Sequence, residues 1–299
     1  EMQRSLVGSE MCIRDRGYGC ENFLLFSNTP PIGMTKNSSY HKTEPDFRSN
    51  LKEDCYDDFA EYLAEVAKRL SDGGYNIKYI SPVNEPSWKW TTDIQEGTPW
   101  LNPEIKRLAV ELDKSIQKRG LETKIFLPEA DSIQNIYGSE RFQKDNPNSK
   151  EDAAFNQLYA FFDPASKDYI GGLKTLARQI GAHSYHTHLK NGQLREVRER
   201  AAAESQKYGV EYHQTEWCFL GFYADPKKLD GFTADWKTKN YADMQTALHM
   251  AKIIYADLVF GGARSWSYWV ATELRDGICA LIDAEGFVED AKKLSLIHI

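Results

Sequence analysis

The 299-residue sequence has no dense Lys/Arg tract, no long apolar run, no CxxC pair, no glycine-rich phosphate loop and no GxSxG. Each absence closes a route. With 37 basic against 44 acidic residues and a net charge of −7, the chain suits neither nucleic acid nor an anionic membrane, so neutral or modestly charged partners are expected. No window approaches the roughly 18 apolar residues that a membrane-crossing helix needs. The cysteines, Cys12, Cys20, Cys55, Cys218 and Cys279, stand too far apart in sequence to form a metal knuckle or a redox motif. Without GxGxxG or a P-loop after any apolar run, an open nucleotide-binding sheet is disfavoured. Without GxSxG, so is a Ser-His-Asp hydrolase.

What is present is an alternation. The runs NFLLFSN (22–28), NIKYISPVNE (76–85), TKIFLPEA (123–130), IGAHSYH (180–186), VEYHQTEW (210–217) and ARSWSYW (263–269) read as six strands, separated by helical patterns. DCYDDFAEYLAEVAKRL carries Phe59, Leu63, Val66 and Leu70 at helical spacing behind acids that suit a helix N-terminus. NPEIKRLAVELDKSIQKRG offers Asn102 as N-cap, Pro103 at the first helical position and Gly120 at the exit. Two further helices fit QLREVRERAAAESQKYG and TKNYADMQTALHMAKIIYADLVFGG, and residues 139–152 read as a surface excursion before another helix. This order is that of βα units with a parallel sheet, either open or part of a (β/α)8 barrel.

The strand ends favour the barrel. Glu85 closes the second run and Glu216 the fifth, and a parallel barrel gathers its strand ends on one face. Two carboxyls facing one sugar are what glycoside hydrolysis requires: one protonates the leaving oxygen, and the other attacks the anomeric carbon or activates water. Either glutamate alone would read as an ordinary strand-end acid; the pair, within NEP and TEW, is more specific. HSYHTH places His183, His186 and His188 close in sequence, which raises a metal reading. Strand alternation opposes it, because His183 and Tyr185 would share one face while His186 and His188 share the other. Six of the seven tryptophans, Trp88, Trp90, Trp100, Trp217, Trp266 and Trp269, lie on or near the strand ends, and Trp236 follows the TEW run. They would either line a sugar cleft with flat apolar faces or cap the core, with Trp88 and Trp266 the best candidates for sugar contact. Glu129, in LPEAD, is a third strand-end acid and a candidate substrate contact.

FSNTPPIGMTKNSS, NEPSWKW with the following QEGTPW, AHSYHTH, QTEWCF and ADLVFGGARSWSYW together resemble glycoside hydrolase family 30, in particular its endo-β-1,6-galactanase-like branch. The resemblance runs from about Cys20 to Lys293. It implies a retaining β-glycosidase on a (β/α)8 barrel, with Glu85 as general acid/base, Glu216 as nucleophile and Asn84 holding the sugar 2-hydroxyl. It further implies substrate contacts from Asn28, Trp88, His183, Tyr185 and Trp266, with the Tyr185 hydroxyl as a donor to Glu216. It implies no metal and no organic cofactor, a carbohydrate substrate as partner, a monomer, and a secreted or cell-envelope location.

Against the family pattern, the six runs correspond to strands 3 to 8, without strands 1 and 2 or the C-terminal β-sandwich. Such a partial barrel, covering residues 17–293, would expose two sheet edges. The opening EMQRSLVGSEMCIRDR (1–16) and the closing LSLIHI (294–299) resemble translated sequencing adapter and are set aside as non-native. The rival expectation is a carbohydrate-binding barrel, or an inactive fragment, that keeps the aromatics without using the acids.

Overall fold

The computed structural model describes residues 22–91, 95–147, 153–188, 190–218, 244–270, 272–273 and 282–283. Trp236, Cys12, Cys20, Cys279 and the start of the last expected helix lie outside them. The chain forms two compact units, one of residues 1–129 and 148–179, the other of residues 130–147 and 180–299. The first unit holds β1 (Phe23–Phe26), β2 (Ile77–Ser81) and nearly all of β3 (Lys124–Ala130), the chain passes into the second unit within β4 (Leu176–His183), and β5 (Glu211–Glu216) belongs to the second. β1 runs parallel to β2, and β2 to β3.

In the first unit, α1 (Tyr56–Asp72) and α2 (Asn102–Lys118) each bury one apolar stripe. Phe59, Leu63 and Ala67 on α1, and Ile105, Leu108, Leu112 and Ile116 on α2, are fully sequestered, as their three- and four-residue spacing predicts. Each Leu or Ile so buried contributes about 1.5–3 kcal/mol. β3 is buried from Ile125 to Ala130, the pattern of a parallel strand covered on both faces. Asp113 on α2 accepts hydrogen bonds from the Thr175 N–H (2.7 Å) and hydroxyl (2.6 Å), tying the helix to the start of β4.

The start of α2 differs from expectation. Leu101 is the N-cap and Asn102 the first helical residue. Glu104 reaches back to accept from the Leu101 N–H (2.8 Å) and the Ser49 N–H (3.0 Å), the return bond that an acid at the third helical position makes to the cap residue's own N–H. Asn102 instead donates to the Phe155 carbonyl. Gly120 does close the helix: at φ +62° it lets Leu121 N–H return to the Ile116 carbonyl at 3.2 Å, a left-handed exit that favours glycine.

In the second unit, β5 packs against α6 (Asn191–Tyr208), and α7 (Met244–Tyr255) continues into a π-helical turn, Ala256–Phe260, that also packs on α6. The short helices α3 (Ile133–Tyr137) and α4 (Glu140–Asp145) belong here, so part of the expected surface excursion is helical; α5 (Gln157–Phe162) belongs to the first unit. The sixth run forms no continuous strand, yet it lies parallel along β5. Arg264 N–H donates to the Tyr212 carbonyl, Gln214 N–H to Ser265, Ser267 N–H to Gln214, and Trp269 N–H to Trp217, all at 2.9–3.1 Å. The β4 strand stops at His183, which removes the alternation assumed for residues 183–188.

Candidate active site

Glu85 stands four residues beyond β2, half-buried, at φ +43°. A left-handed conformation costs a non-glycine residue about 1–2 kcal/mol, and the following Pro86 further narrows what Glu85 can adopt. The turn is held by its backbone. Glu85 N–H donates to the Glu129 carbonyl (2.9 Å), and the Glu85 carbonyl accepts from the Trp88 N–H (3.0 Å) and the Trp90 indole N–H (3.1 Å). Glu129, the partner in that first bond, is itself at φ +53° and buried. Strained backbone of this kind concentrates at functional sites because only an over-determined surround sustains it.

Around this turn, Asn84 is buried and Trp88 is half exposed. Trp90 and Trp100 are buried and serve packing. A Cβ on Gly97 would overlap the Trp90 ring, so the QEG loop closes over that tryptophan only with glycine. Asn28, just past β1, donates to Glu96 at 3.4 Å.

In the second unit, Glu216 is the last residue of β5. Its Oε1 accepts from the Tyr185 hydroxyl at 2.9 Å, and its Oε2 lies 3.7 Å from His183 Nε2. The Tyr185 hydroxyl also meets Cys218 Sγ at 3.4 Å. Behind the carboxylate, the Glu216 carbonyl accepts from the Ser184 N–H at 3.1 Å. His183 and Tyr185 therefore do converge on one side chain, although strand alternation is not the cause; the chain turns after His183. His188 goes elsewhere, against Trp217 and His249 with ring centroids 5.9 and 5.4 Å away. Burial pushes the His188 imidazole down to about 3, helped by the His249 charge, and His249 down to about 4. These are rings kept neutral by the core. Trp217 is buried, whereas Trp266 is partly exposed, 6.1 Å from Trp217 and 6.2 Å from Tyr268.

The sequence reading passed over Asp257. This fully buried carboxylate accepts from Arg198 Nε (2.6 Å), the Ser184 hydroxyl (2.8 Å) and the Trp266 indole N–H (3.0 Å). Its only trace in the sequence is an acid inside the apolar stretch YADLVF.

The family model for O-glycosyl hydrolase family 30 matches residues 11–282. No protein with a curated description matches the chain. Among solved structures, a conserved exported protein from Bacteroides fragilis is 27% identical, with a TM-score of 0.76 over 87% of this chain and 50% of that one. A family 30 subfamily 8 xylanase from Clostridium acetobutylicum is 17% identical (TM-score 0.53; 92% and 52% covered), and an endo-β-1,6-glucanase is 18% identical (TM-score 0.50; 84% and 47% covered). The last two share the fold. The chain spans about half the length of these solved structures.

Proposed function

The chain belongs to O-glycosyl hydrolase family 30, and from that premise we propose that it carries the two carboxylates of a retaining β-glycosidase. Glu216 is the nucleophile. It attacks the anomeric carbon while Glu85 gives its proton to the departing glycosidic oxygen, leaving a covalent glycosyl-enzyme. Water then attacks that carbon, Glu85 takes the proton from the water, and Glu216 is released. Asn84 binds the sugar 2-hydroxyl, where contacts strengthen as the transition state forms. Asn28 and His183 bind substrate hydroxyls, and Trp88 and Trp266 offer flat faces to the pyranose rings.

The observation that carries this reading is the Tyr185 hydroxyl bonded to the Glu216 carboxylate at 2.9 Å. A phenol donor stabilises the ionised form that a nucleophile needs. The substrate we assign is a β-linked polysaccharide or oligosaccharide of the β-1,6-galactan type, on the strength of the motif resemblance. A secreted or cell-envelope location and a monomeric state go with such a substrate, and the exported relative from Bacteroides fragilis supports the location.

The test is release of reducing sugar from β-1,6-galactan, β-1,6-glucan and xylan. Turnover on the galactan, lost in Glu216→Gln at an unchanged melting temperature, is expected; turnover that survives Glu216→Gln overturns the assignment. The half-exposed Trp88 suits one second reading as well, a barrel that binds glycan without cleaving it. Glycan retention on an affinity gel with no reducing sugar released would select that reading.

A further inference from the structure

Asp257 takes no part in the double displacement, yet its surroundings are unusually constrained. It sits in the π-helical turn Ala256–Phe260, where the Gly261 N–H reaches back five residues to the Ala256 carbonyl at 3.0 Å. Such turns insert a residue into a helix and re-aim the side chains around it. A Cβ on Gly261 would fall 2.6 Å from the Asp257 carbonyl oxygen, so this backbone path requires glycine there. The Ala263 N–H also donates to that carbonyl at 3.0 Å, so main chain and side chain of Asp257 are both committed.

The two carboxylate oxygens divide their work. Oδ1 accepts from Arg198 Nε at 2.6 Å, while Oδ2 accepts from both the Ser184 hydroxyl at 2.8 Å and the Trp266 indole N–H at 3.0 Å. Arg198 is itself fully buried and fixed further by the Thr187 carbonyl (3.3 Å) and hydroxyl (3.2 Å) and the Leu194 carbonyl (3.1 Å). A guanidinium held this way fixes one oxygen of the aspartate and thereby aims the other. Ser184, on that other oxygen, also donates its backbone N–H to the Glu216 carbonyl and directly precedes Tyr185.

We propose that Asp257 is a positioning residue that sets the ring plane of Trp266 for sugar stacking, with Arg198 holding the aspartate in place. An indole whose N–H is bound cannot rotate about its long axis without breaking that bond, so one ring face is presented in a fixed direction. The role rests on the glycosidase reading for its functional meaning; its structural content, the hold on Trp266, stands apart from it.

The experiment uses the full chain labelled with 5-fluorotryptophan, in the wild type, Asp257→Asn, Trp266→Phe and the double variant. An amide can accept on one side only, so Asn at 257 cannot serve both Arg198 and Trp266. Because Asp257→Asn strands a buried guanidinium, Arg198→Met/Asp257→Asn is prepared beside it as the variant without a stranded charge. The fluorine resonance that disappears in Trp266→Phe is expected to shift or broaden in both Asp257 variants, with the other described tryptophans unmoved. On an oligosaccharide substrate, Asp257→Asn is expected to raise KM about tenfold with kcat changed less than threefold. In the Trp266→Phe background the same substitution should change KM less than threefold. An unmoved Trp266 resonance overturns the proposal, as does an equal KM effect in both backgrounds. A wild type without turnover whose Trp266 resonance still depends on Asp257 would sink the glycosidase reading and support the hold on Trp266.

Discussion

Glu85 and Glu216 occupy opposite kinds of backbone. Glu85 lies past its strand on a left-handed turn held through its own main chain, which bonds the Glu129 carbonyl, the Trp88 N–H and the Trp90 indole N–H. Glu216 lies on the last residue of a regular strand, and a side-chain donor, Tyr185, holds its carboxylate. The difference matches the two jobs assigned to them. A general acid must present a proton that it can give up and take back, and a turn held through its main chain fixes the direction in which the side chain leaves the backbone. A nucleophile must stay ionised, and a direct hydroxyl donor favours that state.

The sharpest way to break the comparison is chemical. Glu216→Gln should lower kcat by at least about four orders of magnitude, the scale seen when a covalent catalyst loses its nucleophile; Glu85→Gln should cost about 10²–10⁴ on natural glycosides, as loss of a general acid does. Aryl glycosides with good leaving groups need no proton in the first step. On them, Glu85→Gln should retain its glycosylation rate in a stopped-flow burst, whereas Glu216→Gln should show no burst.

Tyr185→Phe tests the side-chain half of the comparison. Deleting a hydroxyl bonded to a charged group costs about 1.5–3 kcal/mol, so kcat/KM should fall by roughly 10- to 100-fold with the fold intact. An unchanged kcat/KM would show that the phenol does not support the nucleophile.

The backbone half is tested by stability. At φ +43°, Glu85→Gly should melt higher than Glu85→Ala, by about 1 kcal/mol in unfolding free energy. In strand β5 the order should reverse, with Glu216→Ala above Glu216→Gly by about 0.5–1 kcal/mol. The same order at both positions would remove the contrast.

A smaller effect concerns His188 and His249. In the unfolded chain a histidine takes its proton near pH 6.5, whereas these take theirs near 3 and 4. Between those values the unfolded state binds more protons, so their contribution is intact above pH 6.5 and is lost as the pH falls towards 4 and 3. Each histidine contributes a slope of about 1.4 kcal/mol per pH unit within its window. Calorimetry between pH 7 and 4.5 should show a shallower decline for His249→Gln than for the wild type, and parallel declines would contradict this account.

Much of the fold was legible because burial imposes periodicity. α2 and strands β1, β2, β3 and β5 fall within the runs that marked them, while α1 runs on to Asp72 and α6 starts at Asn191, each two residues outside its run. What failed did so for local reasons. Asn102 is not a cap, because the helix starts one residue earlier: Leu101 takes the cap position and the Asn102 side chain donates to the Phe155 carbonyl. The 263–269 run hydrogen-bonds along β5 without forming a continuous strand. His183 and Tyr185 were paired through an alternation that ends at His183, although both do face Glu216. Asp257 stayed hidden because a helical apolar pattern gives no sign that one acid within it meets a buried arginine 59 residues earlier.

The most direct measurement is mass spectrometry of the protein after inactivation by a 2-deoxy-2-fluoro β-glycoside bearing a good leaving group. We predict one sugar added per chain, with peptide mapping placing it on Glu216. Turnover without an adduct, or an adduct on another carboxylate, would contradict the assignment of Glu216 as the nucleophile.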